Sequence, residues 1–273
     1  MDSQEKILDS TFSTAVTFAK KELYRDMPWR HTSDGIFDPY KILVSEVMLQ
    51  QTQVSRVVQK YLAFVAYFPT VHDLADAQLS DVLRLWSGLG YNRRAKYLYE
   101  AAKILSQSSV WTYDMLVSCK GIGPNTARAV MVYAYNKPEV FIETNIRTII
   151  IFYFFSKSQD KVTDKQILET ISGELDTKNA RTWYWALMDL GSFIKQNHKN
   201  TLHIAHSHKK QTIFKGSKRQ VRGQVLRLLG ASKSLTIYDL SQAITDHRLT
   251  EVIADLEHES LISYKNNAYY LGT

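Results

Sequence analysis

Residues that build disulfide bonds and metal centres are scarce in this sequence. Its 273 residues include a single cysteine, Cys119. One cysteine excludes an internal disulfide, an all-cysteine zinc site and an iron–sulfur cluster held by four cysteines, and it fits a reducing compartment. Long apolar runs are missing too. The nearest, at 140–155, is interrupted by Glu143, Asn145 and Arg147, so it does not read as a membrane span.

The remaining bulk properties are those of an ordinary globular protein. The opening residues, MDSQEKILDSTFSTAV, place Asp and Glu ahead of any apolar run, which does not fit a secretory signal. We therefore expect a cytoplasmic protein without a membrane partner. Hydrophobic residues make up 45% of the chain, enough for a real core, and the formal net charge is +7. Such a charge favours polyanion partners, although many unrelated proteins share it.

Helical spacing of apolar residues dominates up to about residue 155 and again over 165–197, so we predict a mainly α fold. Asp38-Pro39 is a good helix start, with a capping residue before a proline at the first helical position. The apolar positions behind it continue on one face, which predicts a helix that carries the stretch SEVMLQQTQV at 45–54. These positions are Leu43, Val47, Val54, Val58, Tyr61 and Val65.

Two further helices are predicted over 79–86 and 92–105, separated by the sequence Ser-Gly-Leu-Gly. The second has Arg93, Arg94 and Lys96 at its head. Basic residues at a helix N-terminus oppose the helix dipole. They need another reason to be there, and the simplest is solvation.

The pattern changes class toward the C-terminus. Residues 208–217 are polar and basic with a glycine, and we predict a linker there. Helices are predicted over 221–230, 236–244 and 248–259, followed by two short β-type runs around Lys265-Asn266-Asn267. Three short helices before a two-stranded wing predict a winged helix-turn-helix domain over 218–273.

The stretch CKGIGPNTARAV at 119–130 is typical of a helix-hairpin-helix. Two glycines permit a tight turn whose backbone N–H groups face outward, and the following helix N-terminus adds partial positive charge. Such a turn holds a phosphate without reading sequence. The alternative is an ordinary glycine-capped helix junction.

Seven motifs occur in order and in spacing that together resemble the A/G-specific adenine DNA glycosylases (MutY-like) of the helix-hairpin-helix glycosylase superfamily. They are PWR at 28–30, DPY at 38–40, SEVMLQQTQV at 45–54, FPTVHDLADA at 68–77, LWSGLGY at 85–91, GIGPNTA at 121–127 and ALMDLG at 186–191. The resemblance covers roughly residues 20–195. It implies a two-lobed helical fold, one lobe from 1–36 with 137–207 and the other from 37–136, and double-stranded DNA with a mismatched or oxidised base pair as the partner.

The resemblance also implies the chemistry, which is rupture of an N-glycosidic bond by two carboxylates. Glu46 matches the catalytic acid, and its apolar helix is expected to raise the pKa of its carboxyl group. Where the family has Asp-Gly-Asn, this chain has Glu143-Thr144-Asn145. Glu143 keeps the charge one methylene further out, to support the cation or activate water, and Asn145 would orient the carboxylate or the water.

Other matches concern the base pocket and the DNA. Asn125 stands where bifunctional relatives carry the Schiff-base lysine, so we expect a monofunctional enzyme without lyase activity. The base pocket matches are Trp29, Arg30, Asn125 and Trp185. Residues expected to contact DNA, including groups that fill the hole left by a flipped base, are Gln50, Gln51, Thr52, Tyr91, Arg94, Lys120, Gly121, Gly123 and Thr126.

Three departures qualify the resemblance. Trp185 stands where the adenine enzymes usually have Gln or Glu, so it cannot reproduce their bidentate contact to the base. The four cysteines of the family's iron–sulfur cluster are absent, and we expect no cofactor and no metal. The histidines of the same segment do not have regular metal-ligand spacing, and a basic loop against phosphate is the simpler interpretation. They are His198, His203, His206 and His208, with Lys195, Lys199, Lys209 and Lys210 among them.

The third departure is the C-terminal domain, since the family often has a Nudix-like domain there. The expected recognition helix, TEVIADLEHE, has four acids and no Lys or Arg, which makes it a poor major-groove reader. Packing against the catalytic body or a protein contact is at least as plausible. Lys218, Arg219 and Arg222 are better candidates for DNA contacts.

We therefore expect a base excision repair glycosylase, monomeric and associated with the nucleoid, that excises adenine mispaired with 8-oxoguanine or guanine. One alternative is a thymine or uracil glycosylase acting on G:T or G:U mismatches, for which an altered pocket at Trp185 would be natural. The other is a non-catalytic DNA-binding protein that retains the glycosylase fold.

Overall fold

The structure, a computed structural model, describes residues 7–198, 204–206 and 213–272. Contacts divide the chain into two compact units, Met1–Pro39 with Pro124–Lys210 and Tyr40–Gly123 with Gln211–Thr273, here called the first and the second unit. The elements are α1 (Phe12–Glu22), α2 (Pro39–Leu49), α3 (Val54–Tyr67), α4 (Val71–Ala75), α5 (Leu79–Trp86), α6 (Arg93–Leu105), α7 (Tyr113–Ser118), α8 (Pro124–Tyr135), α9 (Thr144–Phe154), α10 (Asp164–Glu174), α11 (Ala180–Asn197), α12 (Lys218–Ala231), α13 (Ile237–Ala243), α14 (Leu249–His258), β1 (Ile262–Lys265) and β2 (Ala268–Leu271). The predicted mainly α fold is confirmed.

The first unit is built around α11, which packs against α1, α8 and α9. Most of its side chains are buried, among them the consecutive residues Trp183, Tyr184 and Trp185. A helix that is apolar on nearly every side is stable only inside a core. The short helical turn Pro28–Arg30, which follows α1, has buried Trp29 and Arg30.

In the second unit, α2 is buried from Ile42 to Met48 except at Glu46. Around it, α6 packs against α4, α5 and α7, and α3 packs against α5. The predicted boundaries of α5 are confirmed, as are the start of α2 at Pro39 and the end of α6 at Leu105. Asn92, predicted as the first residue of α6, is its N-cap.

The prediction that one helix carries residues 45–54 is wrong in one respect. The helix ends at Leu49, and a new helix starts at Val54. Between them Gln51 adopts a left-handed backbone with φ of 54°, a conformation that interrupts a right-handed helix. Apolar periodicity continues across the break because both helices bury one face, so periodicity alone could not show the turn.

The C-terminal segment has the predicted order of three helices and a β-hairpin. Strands β1 and β2 pair antiparallel, with Lys265 opposite Ala268. Asn266 and Asn267 have φ of 50° and 59°, as a two-residue hairpin of type I′ requires. The first helix starts at Lys218, three residues before the predicted start. The name winged helix stays a prediction.

The divisions between the two units fall at 39/40 and 123/124, whereas the sequence placed them at 36/37 and 136/137. The reason is that α8 packs against α11 and so groups with the first unit. The C-terminal helices and hairpin group with residues 40–123, since α12 and β2 pack against α5. Of the predicted linker, residues 208–212 lie outside the described part, and 213–216 are exposed. Within the described ranges, no helix has the length and apolar character to cross a bilayer.

Candidate functional site

Glu46 is the only residue between Ile42 and Met48 that is not buried. It lies on α2 between Ser45 and Val47, which are 0% and 3% exposed. The Ser45 hydroxyl group donates to the Ile42 carbonyl oxygen at 2.8 Å, so it needs no solvent. The predicted catalytic acid is therefore half-buried on an otherwise apolar helix.

Arg94 joins the end of α2 to the loop that precedes α6. Its Nη1 donates to the carbonyl oxygens of Val47, Met48 and Gln50 at 2.7, 3.1 and 2.6 Å. Two of these belong to the last turn of α2, where backbone oxygens have no partner in the helix. A cation there also matches the negative end of the helix dipole.

The second terminal nitrogen of Arg94, Nη2, contacts Thr52 and the loop that precedes α6. It donates to Thr52 Oγ1 at 3.1 Å and to the carbonyl oxygens of Leu89 and Gly90 at 3.3 and 3.1 Å. Burial lowers the pKa of this guanidinium to about 10. In the structure the terminal nitrogens of Arg94 donate to protein oxygens, and its predicted contact with DNA stays a prediction.

The two loops held by Arg94 carry backbone strain at predicted DNA contacts. Gln51 has φ of 54° and Tyr91 has φ of 48°, a region that non-glycine residues adopt at a cost. Gln51 is exposed, and Gln50, Thr52 and Tyr91 are half-buried. The hydrogen bonds of Arg94 thus hold two adjacent, constrained loops together. One loop presents the Gln51 amide and the other presents the Tyr91 ring.

The hairpin turn of the second unit is exposed at Lys120, Gly121 and Gly123. Gly121 has φ of 86°, and a Cβ there would lie 2.5 Å from the Tyr97 ring, so no other residue fits. The Lys120 ammonium lies over the same ring at 5.1 Å. The turn is therefore a rigid, accessible backbone with a cation beside it, which suits phosphate binding.

In the first unit, Glu143 is the N-cap of α9 and follows a segment that is fixed from two sides. The Asn125 amide, on α8, donates to the Ile142 carbonyl oxygen at 3.0 Å. The Tyr184 hydroxyl group donates to the Glu139 carbonyl oxygen at 3.0 Å and accepts from the Phe141 N–H. Burial raises the pKa of Tyr184, so this hydroxyl keeps its proton. Asn125 therefore helps to position Glu143, and Thr126 beside it is half-buried.

Asn145 is held by α11. Its amide nitrogen donates to the Met188 carbonyl oxygen at 3.1 Å, and its Oδ1 accepts from Lys195 Nζ at 2.7 Å. Burial, with a contribution from the charge of Arg25, lowers the pKa of Lys195. A Cβ on Gly191 would lie 2.3 Å from the Asn145 carbonyl oxygen. Glycine at 191 is thus required for α11 to approach the first turn of α9.

Arg30 forms a buried ion pair with Asp189 on α11. Its Nη1 and Nη2 donate to the two carboxylate oxygens at 2.7 and 3.0 Å. Arg25 Nε donates to the same carboxylate at 2.5 Å. The bidentate geometry and burial make this a strong, oriented pair. Arg30, predicted in the base pocket, presents its charge to Asp189.

Trp185 lies in an aromatic cluster. Its ring stacks on Tyr133 with centroids 6.2 Å apart and meets Phe37 edge-on at 5.5 Å. The Arg30 guanidinium lies 5.4 Å from the centre of the ring. Beside it is a cavity of about 320 Å³, lined by Ala19, Lys20, Tyr24, Thr182, Trp185, Ala186 and Asp189. Trp29, also predicted in the base pocket, is 8% exposed.

The structure thus groups the predicted residues by unit. The second unit brings together Glu46, Gln50, Gln51, Thr52, Tyr91 and Arg94 and also holds Lys120, Gly121 and Gly123, while the first holds Trp29, Arg30, Asn125, Thr126, Glu143, Asn145 and Trp185. Sequence reasoning missed Asp189 and Tyr184 as supports, and it assigned Lys195 to a phosphate-binding loop. An acid and a hydroxyl group inside the apolar run of α11 were the available signals.

The metal prediction rests on the sequence. His198 and His206 are exposed, and His203 and His208 lie outside the described residues, with Lys199, Lys209 and Lys210. Within the described ranges no three His, Cys, Asp or Glu side chains group as metal ligands. A four-cysteine cluster does not fit this chain, because Cys119 is its one cysteine and is buried, where its thiol donates to the Met115 carbonyl oxygen. The lack of a cofactor stays a prediction.

The chain is similar to known proteins in sequence profile, in pairwise alignment and in fold. Residues 44–173 match the family profile described as HhH-GPD superfamily base excision DNA repair protein. The chain is 34% identical over 174 residues to an adenine DNA glycosylase of Buchnera aphidicola, covering 62% of this chain and 48% of that one. It is 38% identical over 176 residues to one of Mycolicibacterium smegmatis, covering 62% and 58%. The chain thus spans about half the length of these curated relatives.

Among solved structures, a thermostable thymine-DNA glycosylase superposes with a TM-score of 0.59 at 25% identity, covering 74% of this chain and 94% of that one. The match extends beyond the segment covered by the family profile. The chain has the helical fold of the HhH-GPD DNA glycosylases.

Proposed function

We propose that this protein is a DNA N-glycosylase of base excision repair. The observation that carries the proposal is Glu46, a half-buried acid on an apolar helix that leads directly into the strained turn held by Arg94. An acid in such surroundings is suited to give a proton to a leaving base. The adjoining turn offers amides where a flipped base leaves a hole.

The second carboxylate is Glu143. Its backbone is fixed through Asn125 and Tyr184 on its N-terminal side and begins α9 on the other. Fixed carboxylates stabilise a developing oxocarbenium ion or activate water, and precise position sets the rate. Asn145, bound by Lys195, supplies an oriented amide in the same turn of α9.

Excision proceeds without a Schiff-base intermediate. Asn125 occupies the position of the lysine that bifunctional relatives use, and its amide is engaged with Ile142. An amide cannot form an imine with the sugar. The product is therefore a free base and an intact strand that carries an abasic site.

The first substrate is adenine opposite 8-oxoguanine or guanine, as the similarity to curated adenine DNA glycosylases supports. The second candidate is thymine or uracil opposite guanine. Two observations favour it. Trp185 packs against Tyr133 and Phe37, so this position offers an aromatic face and no carboxamide or carboxylate. In addition, one of the solved structures with a similar fold is a thymine-DNA glycosylase.

The test is a single-turnover assay on short duplexes with A:8-oxoG, A:G, T:G or U:G, followed by alkali to cut abasic sites. Cleavage of the adenine duplexes only after alkali would support the first substrate and the monofunctional mechanism. Cleavage of T:G or U:G alone would assign the second. Tight binding without cleavage of any duplex would refute catalysis and favour a DNA-binding protein.

A further inference from the structure

The C-terminal segment reaches one of the two strained loops. Arg219, on the first turn of α12, donates from Nη1 to the Tyr91 hydroxyl oxygen at 2.6 Å, and its guanidinium lies 5.4 Å from the centre of the Tyr91 ring. The Arg94 guanidinium lies at 5.4 Å from the same ring. Two guanidinium groups therefore lie near the Tyr91 ring, and one of them belongs to a residue 128 positions away in sequence.

Other contacts fix α12 where Arg219 needs it. Arg84 Nε, on α5, donates to the Gly230 carbonyl oxygen at 3.3 Å. A Cβ on Gly272 would lie 2.7 Å from the Ser80 backbone nitrogen, so the end of the hairpin touches α5 closely. Lys96 Nζ, on α6, donates to the Glu259 carbonyl oxygen at 2.7 Å. The Lys96 contact also gives one of the basic residues at the head of α6 a role within the protein.

The charges expected to contact DNA from this segment are largely satisfied within it. Lys218 bridges Glu251 and Asp255 at 2.7 and 2.6 Å. Arg222 pairs with Glu259 through Nη2. The acids of α14 are thus balanced by bases of α12, and neither helix presents the free basic face that groove reading requires.

We propose that Arg219 is a positioning residue for Tyr91, and that the C-terminal segment acts as a brace for the loop that carries Tyr91. The proposal rests on the proposed function and on the expected contact of Tyr91 with the duplex. An aromatic ring at a strained φ of 48° needs external support to keep one orientation. The hydrogen bond and the cation over the ring provide that support.

A double-mutant cycle tests this, with Arg219→Met, Tyr91→Phe and the double variant. Arg227→Met is the matched control, because Arg227 is an exposed base on the same helix. Readouts are the single-turnover excision rate and the fluorescence of 2-aminopurine placed beside the mismatch, which reports unstacking without catalysis. Thermal unfolding of each variant identifies any that fails to fold. If Arg219→Met does not fold, Arg219→Lys takes its place in the cycle.

We expect Arg219→Met and Tyr91→Phe each to lower the rate and the fluorescence rise by about tenfold, as loss of positioning does, with the double variant no worse than either. Arg227→Met should match wild type. Two results together would overturn the proposal. They are additive effects of the two substitutions on the rate, and weaker, less salt-dependent binding of an undamaged duplex by Arg219→Met, since these would show that Arg219 contacts a phosphate. Equality of Arg219→Met and Arg227→Met would also overturn it. A wild-type chain that excised no base would refute the proposed function, while the fluorescence readout would still decide the role of Arg219.

Discussion

At the scale of single residues, the candidate site depends on contacts between side chains and segments that are separated in sequence. Lys195 holds Asn145, Tyr184 and Asn125 hold the segment before Glu143, and Asp189 holds Arg30. The motifs in the sequence identify which residues match the family and where they stand in the chain. They do not identify the partners of these residues, because a motif records neighbours in sequence, whereas Lys195 lies 50 residues from Asn145.

Replacement of Lys195 by Met should slow excision by about tenfold, since Asn145 loses the donor that orients its amide. It should not lower the stability at pH 7, because burial disfavours the charged lysine. A pKa lowered in the fold makes stability rise with pH between that pKa and the ordinary value of about 10.4. The variant should lose this rise, which urea unfolding at several pH values measures. Lys165→Met, an exposed site in the same unit, is the control; equal rates in the two variants would contradict the role of Lys195.

Replacement of Asp189 by Asn should lower the free energy of unfolding by about 3 kcal/mol, because it leaves the buried charge of Arg30 without its counterion. Side chains of Arg30 and Asp189 are 4% and 1% exposed. Glu169→Gln, in an exposed pair with Lys165, should change it by less than about 0.5 kcal/mol. Urea denaturation of both variants provides the comparison, and similar losses would show that burial of the pair contributes little.

At the scale of elements, the bounds of the helices and strands depend on the residues that cap them and on the turns between them. The start of α2 at Pro39, the extent of α5 and the hairpin turn at Asn266-Asn267 were predictable, because proline, glycine and asparagine have local backbone preferences. The break after Leu49 was not. The end of α2 is stabilised by Arg94, which is remote in sequence and donates hydrogen bonds to carbonyl oxygens in the last turn of α2.

Arg94→Met should lower the free energy of unfolding by about 3 kcal/mol, since it removes charged hydrogen bonds to buried carbonyl groups. Arg93→Met, on the same turn with a side chain 60% exposed, should cost less than about 1 kcal/mol. Chemical denaturation measures both. If Arg94→Met unfolded like wild type but bound DNA weakly, Arg94 would be a direct DNA contact and the structural role would be wrong.

Gly191→Ala should destabilise the first unit by roughly 2 kcal/mol, because the new methyl group would collide with the backbone of Asn145. The shift of α9 should also slow excision. Gly173→Ala, on α10 with open space around the position, should instead raise stability by up to about 1 kcal/mol through helix propensity. Thermal unfolding gives both values. A tolerated Gly191→Ala would mean that α11 and α9 can separate without consequence.

At the scale of the whole molecule, the class of fold was predictable and the grouping of its parts was not. Helical periodicity and the ordered motifs suffice for a helical glycosylase fold. The lack of an iron–sulfur cluster stays a prediction from the single cysteine. From the sequence, packing of the C-terminal segment against the catalytic body is only one alternative, and the grouping of residues 211–273 with 40–123 could not be predicted. The contacts that produce it, such as the packing of α12 and β2 against α5 and the hydrogen bonds of Arg84 and Lys96, join residues that are remote in sequence. A composition change at 208–217 marks a boundary in sequence and says nothing about packing.

The central claim is that Glu46 is the acid of base excision, and Glu46→Gln tests it most directly. The substitution preserves shape and hydrogen bonding and removes the proton that is transferred. The measurement is the single-turnover excision rate on the duplex that wild type cleaves, together with the dissociation constant for that duplex. We expect the rate to fall by at least about a hundredfold, with affinity changed by less than about threefold. A variant that excises at the wild-type rate would contradict the claim.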